Sequence, residues 1–286
     1  MPPPKIFVII LQFNNSQDTI SCLNSVLKVL RPNFEIIVVD NASDSEHTDS
    51  IRRYALSQSE IKLLKNINNL GYSGGNNIGI KYALENGADY VLILNNDTSV
   101  EPDILEKMVQ LAEADHRIGI VGPLIKEGDK IFAGGKIKWL KSELEHLEYG
   151  VNKKPDYIPG SCMLIKKDVI EKIGLFDEKY YLYFEDADYS IRARKAKYKL
   201  AITSNTTIHH GGSSSTKKLG NPQLLYYHYR NALYFNLKNG AWYIKILVWP
   251  WSLMIALKQI FKILLRIHPE HSRSILKGVM DFYKLY

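Results

Sequence analysis

Along the first hundred residues, apolar positions form short unbroken runs that alternate with stretches of helical spacing. The runs Ile6–Leu11, Glu35–Asp40, Ile61–Lys65 and Tyr90–Leu94 read as strands buried on both faces. Between them, Asp18–Leu30 carries Ile20, Leu23, Val26, Leu27 and Leu30 on one helical face, and Thr48–Leu56 suits a second helix. Asn76–Glu85 suits a helix after a glycine-rich turn, and Pro102 stands at a first helical position before Ile104, Leu105 and Met108. This alternation predicts an α/β fold, a mostly parallel sheet with helices on both faces.

Residues 118–168 read as strands and loops, broken at Gly134-Gly135 and Pro159-Gly160, and a helix is predicted from Asp186 to Lys195. Residues 211–222, rich in Gly, Ser, Lys and Pro, read as a loop or hinge, and everything beyond reads as helical. The chain therefore divides into an α/β domain, 1–215, and a helical segment, 216–286.

With 45% apolar residues in 286, the chain can bury a full core, and disorder is not indicated. Cys22 and Cys162 are too far apart to suggest a disulfide framework or zinc spacing, which fits a reducing, cytoplasmic compartment. The run Ile6–Leu11 is too short for a signal peptide. Charge is uneven: residues 217–286 hold eleven Lys/Arg against two acids, Glu270 and Asp281, whereas the preceding part is slightly acidic. Charge alone suits nucleic acid or anionic lipid equally, and the apolar content of this segment favours lipid over nucleic acid. Ile246–Leu257 has no charge and is flanked by Lys245, Lys258, Lys262 and Arg266. It is short of the ~20 residues of a span and is interrupted by Pro250. With Trp242, Trp249 and Trp251 it reads as an interfacial helix at the inner face of the cell membrane, the alternative being a packing or homodimer element.

In an open parallel sheet, ligands bind beyond the carboxyl ends of the strands. Three predicted strands end there in polar residues: Phe13-Asn14, Asp40-Asn41 and Asn95-Asn96-Asp97. Singly these are ordinary loop residues and helix caps; together they mark one edge. The glycines of Asn69–Gly79 let backbone amides approach a phosphate or base, although no Walker A lysine follows. Asp97 is placed for a hard divalent cation or as a cap. Glu185-Asp186-Ala187-Asp188 follows an aromatic run, so it reads either as acids favouring a helix dipole, with Asp188 paired to Arg192, or as a proton acceptor beside rings that stack on sugars. His209-His210 ends an apolar stretch as a metal ligand or as loop.

The ordered set Val8-Ile-Ile-Leu-Gln-Phe-Asn-Asn15, Val38-Val-Asp-Asn-Ala-Ser43, Asn69–Gly79, Leu94-Asn-Asn-Asp97, Pro159-Gly-Ser-Cys-Met-Leu-Ile165, Gly174-Leu-Phe-Asp177, Phe184–Ala193 and His209–Ser214 resembles the inverting glycosyltransferase family 2, of GT-A fold, and within it the rhamnosyltransferase-like branch of surface polysaccharide synthesis. The resemblance runs from Ile6 to about Ser214. It implies a nucleotide-sugar donor, dTDP-rhamnose or a UDP-sugar, lined by Phe13, Asn14, Asp40, Asn41, Gly71, Gly74, Gly75, Asn76, Asn77, Asn95 and Asn96. Asp40 would take the base or ribose. Asp97, with His209 or its neighbour His210, would hold Mg²⁺ or Mn²⁺. Asp186 would be the general base with Glu185 beside it, and Gly160, Tyr183 and Phe184 would meet a glycan or lipid-linked acceptor. Two departures stand out: Asn95 replaces the first acid of the family's Asp-X-Asp, and Gln12 replaces its usual Thr or Ser. A sugar-1-phosphate nucleotidyltransferase would need Arg and Lys just after the first strand, which Phe13-Asn-Asn-Ser-Gln17 lacks, and a processive synthase would need Gln-x-x-Arg-Trp. A non-catalytic binding protein that kept the fold is opposed by the presence of both Asp97 and Asp186.

Overall fold

The computed structural model describes residues 3–151, 154–211 and 222–285. The stretch read as a hinge at 211–222 lies almost wholly outside these residues. Strands β1 (Ile6–Gln12), β2 (Phe34–Asp40), β3 (Ile61–Lys65) and β4 (Tyr90–Asn95) alternate with helices α1 (Ser16–Val26), α2 (Ser45–Leu56) and α3 (Gly71–Glu85). There follow β5 (Thr98–Val100), α4 (Ile104–Glu113), β6 (Ile118–Glu127), β7 (Lys130–Lys138), β8 (Glu143–Glu148), β9 (Cys162–Lys166), α5 (Lys167–Ile173), α6 (Glu185–Lys195) and β10 (Lys199–His210). The sheet order is β3-β2-β1-β4-β9-β6-β10-β5, with β7 beside β6 and β8 beside β7.

Along β1 the side chains alternate between two cores. Ile6, Val8 and Ile10 join Leu23, Ile51 and Met108 on one face, while Phe7 and Ile9 join Ile80, Val169 and Tyr189 on the other. This two-sided burial explains the unbroken apolar runs. The sheet is less parallel than the sequence suggests. β1, β2, β3 and β4 pair in parallel, but β9 is antiparallel to both β4 and β6, and β5 is antiparallel to β10. The direction of a strand is set by partners elsewhere in the chain, so no local pattern reveals it.

Three further helices, α7 (Pro222–Asn239), α8 (Trp242–Leu264) and α9 (Pro269–Tyr283), build a third core with α6. Ala232, Leu233 and Phe235 of α7, Val248 of α8 and Phe282 of α9 close over Tyr180, Phe184 and Ile191. α8 continues through Pro250 for 23 residues, so the proline does not interrupt it. A proline withholds a single backbone donor, and Val248 and Ser252 are buried on either side of it. Its opposite side is an exposed apolar row: Trp242, Ile246, Trp249, Leu253, Leu257, Ile260 and Leu264. By length and composition α8 could cross a bilayer, yet its inner side is already held by the protein.

Candidate active site

The site is assembled where β1, β2 and β4 end, together with the turn before α6. At the end of β4, Asn95-Asn96-Asp97 leads straight into β5. The amide of Asn95 donates to the Ser161 carbonyl, and the Asn96 side chain donates to the Thr19 hydroxyl at 2.9 Å. β10 lies between β5 and β6, pairing His210 with Thr98 on one side and His209 with Lys126 on the other. Neighbouring strand residues face opposite ways, so only one histidine can meet Asp97. It is His210: its Nε2 lies 3.2 Å from Asp97 Oδ1, and its Nδ1 lies 2.7 Å from Glu127 Oε1. His209 is exposed on the other side, which corrects its assignment as the first choice of ligand. Burial lowers the His210 pKa, but the two carboxylates outweigh it and raise it to about 9; the bond to His210 holds Glu127 below its ordinary value.

Asp97 and His210 suit a divalent cation. His210 Nε2 is buried without a hydrogen bond, although a carboxylate oxygen stands beside it. Among the described residues no group of three His, Cys, Asp or Glu side chains is arranged to hold a metal. These two would therefore need diphosphate oxygens to complete the shell.

At the β1–β2 edge the polar residues mostly hold one another. Asp40 is fully buried; its oxygens accept from the Ser43 amide at 3.1 Å and the Thr48 hydroxyl at 2.6 Å. Asn41 donates to Asn69 Oδ1 and the Gly71 carbonyl and accepts from Asn66 and Leu70. Both residues shape the turns and offer a donor no free edge, contrary to the role expected for them. Phe13, 47% exposed, and Asn14, at φ 49°, stand outermost. Gln12 and Ser43, joined at 2.9 Å, hold the two turns together.

The glycine-rich segment is the first turns of α3, not a loop ahead of it. Its N-terminal amides are already committed: those of Tyr72 and Ser73 donate to the Tyr181 carbonyl, at 2.6 and 3.4 Å. Gly71 has φ +70°, and a Cβ there would lie 2.4 Å from that same oxygen; a Cβ on Gly75 would lie 2.4 Å from Leu11. Gly74, likewise, would crowd Leu70 at 2.8 Å. These glycines permit close packing and do not form an open phosphate cradle. Asn77 is also structural, donating to the Phe176 carbonyl and Glu178 and accepting from the Phe176 amide. Asn76 donates to the Tyr72 carbonyl and keeps a buried Oδ1 without a partner.

Before α6, Tyr181, Tyr183 and Phe184 all have left-handed backbones, at φ 62°, 73° and 72°. Each such residue costs on the order of 1–2 kcal/mol, so the turn persists only because its surroundings fix it. Asn231 of α7 places Nδ2 2.7, 2.6 and 3.2 Å from the carbonyls of Tyr180, Leu182 and Tyr183. Arg230 donates to the carbonyls of Lys179 and Tyr180. Fully buried Asp188 pairs with Arg192 within α6 and ties that helix to Lys238 and Asn239 of α7. The turn aims Asp186: its Oδ2 accepts from the Gly160 amide at 2.9 Å and its Oδ1 from the Ala187 amide at 2.7 Å. Burial raises the Asp186 pKa, against the pull of those amides; burial and the charge of Asp186 push Glu185 well above its usual range. Glu185 Oε2 has no partner. Phe184 is buried against Phe235 and His228, so it belongs to the core and not to an acceptor surface. Tyr183 is partly buried, with an unpartnered hydroxyl.

Tyr72 joins the two halves. Its hydroxyl donates to the Gly160 carbonyl at 2.7 Å, and burial together with Glu185, Asp186 and Asp97 raises its pKa well above 10. The Gly160-Ser161 loop thus touches both the acid that opens α6, through the Gly160 amide, and the strand end that leads to Asp97, through the Ser161 carbonyl. Sequence reasoning missed Tyr72, Asn231 and Glu127. Tyr72 lay inside a motif read for its glycines, Glu127 in a hairpin turn, and Asn231 in a segment assigned to lipid.

A mixed sheet with an acid after its fourth strand, a histidine beside that acid and a further acid opening a late helix is the layout of a GT-A glycosyltransferase. The chain belongs to glycosyl transferase family 2, whose profile it matches over residues 7–174. It is 30% identical over 203 residues to a low-salt glycan biosynthesis hexosyltransferase of Haloferax volcanii, covering 66% of this chain and 61% of that protein's length. It is 22% identical over 253 residues to the N-acetylglucosaminyl-diphospho-decaprenol L-rhamnosyltransferase of Mycobacterium tuberculosis, covering 78% and 81%. Its fold is shared with the mannosyltransferase of Pyrobaculum calidifontis solved with GDP-Man and Mn²⁺, at a TM-score of 0.63 and 15% identity over 97% of this chain and 88% of that one.

Proposed function

We propose that the protein transfers a sugar with inversion, without processivity, from a nucleotide-sugar donor to a glycan or lipid-linked acceptor in surface polysaccharide synthesis. The observation that carries this reading is the Gly160-Ser161 loop, whose Gly160 amide donates to Asp186 and whose Ser161 carbonyl accepts from Asn95, two residues before Asp97 and its partner His210. The name of the rhamnosyltransferase relative favours rhamnose as the transferred sugar and supports a lipid-linked acceptor.

Asp186, held by the Gly160 and Ala187 amides, would accept the proton of the acceptor hydroxyl as that oxygen bonds to the anomeric carbon. The bond from that carbon to the diphosphate breaks on the opposite face, and its electron pair leaves with the diphosphate. A single displacement of this kind inverts the centre. Asp97 and His210 would hold Mg²⁺ or Mn²⁺, which when bound neutralises charge on the departing diphosphate. Phe13, the exposed ring at the β1 end, would face the nucleobase. Asp40 and Asn41 would act on the donor only through the turns they fix.

We also place the protein on the cytoplasmic surface of a membrane. The exposed apolar row of α8 lies in a segment with a large basic excess. This pairing fits a helix lying at the level of anionic headgroups. The test of the enzymatic reading is a panel of dTDP-, UDP- and GDP-sugars offered with N-acetylglucosaminyl-diphospho-polyprenol, with and without EDTA. Transfer from one donor, lost in EDTA and giving the inverted anomer by NMR, is expected. A retained anomer, or binding without turnover of any donor, would refute it.

A further inference from the structure

The strand register puts three side chains in a row. Parallel pairing of β6 with β10 sets His209 against Lys126, so the next residues, His210 and Glu127, lie side by side. Antiparallel pairing of β10 with β5 sets His210 against Thr98, next to Asp97, and the Gly211 amide donates to the Asp97 carbonyl at 3.1 Å. The imidazole therefore stands between two carboxylates. Asp97 lies on its Nε2 side, where no hydrogen bond is formed, and Glu127 lies 2.7 Å from Nδ1.

We propose that Glu127 is a positioning residue for the divalent cation, orienting His210 by accepting the Nδ1 proton so that Nε2 presents its lone pair beside Asp97. This rests on the reading of Asp97 and His210 as metal ligands. A neutral imidazole has one proton for two nitrogens, and only the deprotonated nitrogen can ligate. With Nδ1–H held by a carboxylate, the ring plane is fixed before the cation arrives; the cation displaces the proton from Nε2 and not from Nδ1, and the ring becomes a better donor. This matters more here than in a richer site. Asn95 stands where a second acid would be, so the protein offers one carboxylate and one imidazole, and a misoriented imidazole would leave the carboxylate alone.

The fold does not itself require a carboxylate at 127. Glu127 ends β6 at a two-residue turn, Gly128-Asp129, where Gly128 takes φ +58°, and its backbone pairs with Lys130 whatever the side chain. A partly exposed ion pair adds little stability. The specific answer to an acid at this place is the ring of His210.

The experiment is titration of Mn²⁺ into the full chain, followed by electron paramagnetic resonance, alone and with dTDP or UDP. Glu127→Ala should weaken Mn²⁺ binding by about 10–100-fold. Glu127→Gln, whose amide oxygen still accepts from Nδ1, should recover part of it. Asp129→Asn, which removes the same charge two residues away, should bind as wild type. Metal-free nucleotide binding and Tm should be unchanged in all three. Equal Mn²⁺ affinity in wild type and Glu127→Ala would overturn the role of Glu127 while leaving the ligands standing, and so would an equal loss in Asp129→Asn. No Mn²⁺ binding by wild type with either nucleotide would overturn the metal reading and this proposal together.

Discussion

The backbone amide of Gly160 donates to Oδ2 of Asp186 at 2.9 Å, while the carbonyl of Gly160 accepts from Tyr72 at 2.7 Å. One short loop thus aims the acid at the start of α6 and anchors to α3. A carboxylate held this way keeps one direction but, being buried, takes up a proton more readily than a free one.

Asp186→Asn should lower the transfer rate by ~10²-fold or more, since an amide cannot accept the proton. Binding of dTDP or UDP, measured by calorimetry, should stay near wild type because the Gly160 amide still finds an oxygen. The pH dependence has a defined sign. A base must be ionised, and burial raises the Asp186 pKa, so kcat/KM should fall as pH drops through a value above the ordinary ~3.9 of aspartate. Full activity down to pH ~4, or a variant within about tenfold of wild type, would remove Asp186 from the role of base.

Gly71 and Gly87 both have positive φ, +70° and +82°, but only Gly71 is hemmed in: the Tyr181 carbonyl oxygen lies 2.4 Å from where a methyl group would stand. Gly71→Ala should cost roughly 2–5 kcal/mol and disturb the turn before α6, whereas Gly87→Ala, with open space around it, should cost about 1 kcal/mol. Urea denaturation of both variants, alongside their transfer rates, is the check; equal effects would mean that the contact with Tyr181 carries no weight.

Asp188 is fully buried among Arg192, Lys238, Asn239 and the Tyr180 hydroxyl. Asp188→Ala should destabilise by about 3–5 kcal/mol, because Arg192 loses its counter-charge and Lys238 keeps only Asp177. Thermal unfolding should show it. A loss below about 1 kcal/mol would place little of the docking of α7 in this cluster.

Replacing Ile246, Leu253 and Leu257 with serine should leave the fold intact, since all three are exposed. Burying each is worth ~1.5–3 kcal/mol, so partition onto anionic vesicles should fall at least ~100-fold. Salt should weaken wild-type binding without abolishing it. Wild-type protein that stays in the supernatant with anionic vesicles at low salt would reassign the row to a dimer contact or to packing.

The strands of the first half were legible because burial on both faces leaves continuous apolar runs such as Tyr90–Leu94. α6 was legible from its acids and its spacing. What escaped depended on partners far along the chain. Gly71 begins a helix because the carbonyl of Tyr181 caps it, and nothing near Gly71 announces that. Asp40 and Asn41 have the residue types and the place of ligands, yet Thr48, Ser43, Asn66 and Asn69 occupy them. The choice between His209 and His210 turns on strand parity, which becomes fixed only when β10 finds its register against β5 and β6.

Asn231 lies well downstream of the turn whose carbonyls it gathers. A chain leaving the ribosome releases every strand through His210 before α7 exists. A nascent chain arrested with residue 211 just emerged should resist protease across its sheet yet be cut near Tyr181; resistance at both places would show that the turn forms unaided. The order of synthesis therefore separates folding from competence: the scaffold comes first, and the acid acquires its aim only when the later part of the message has been read.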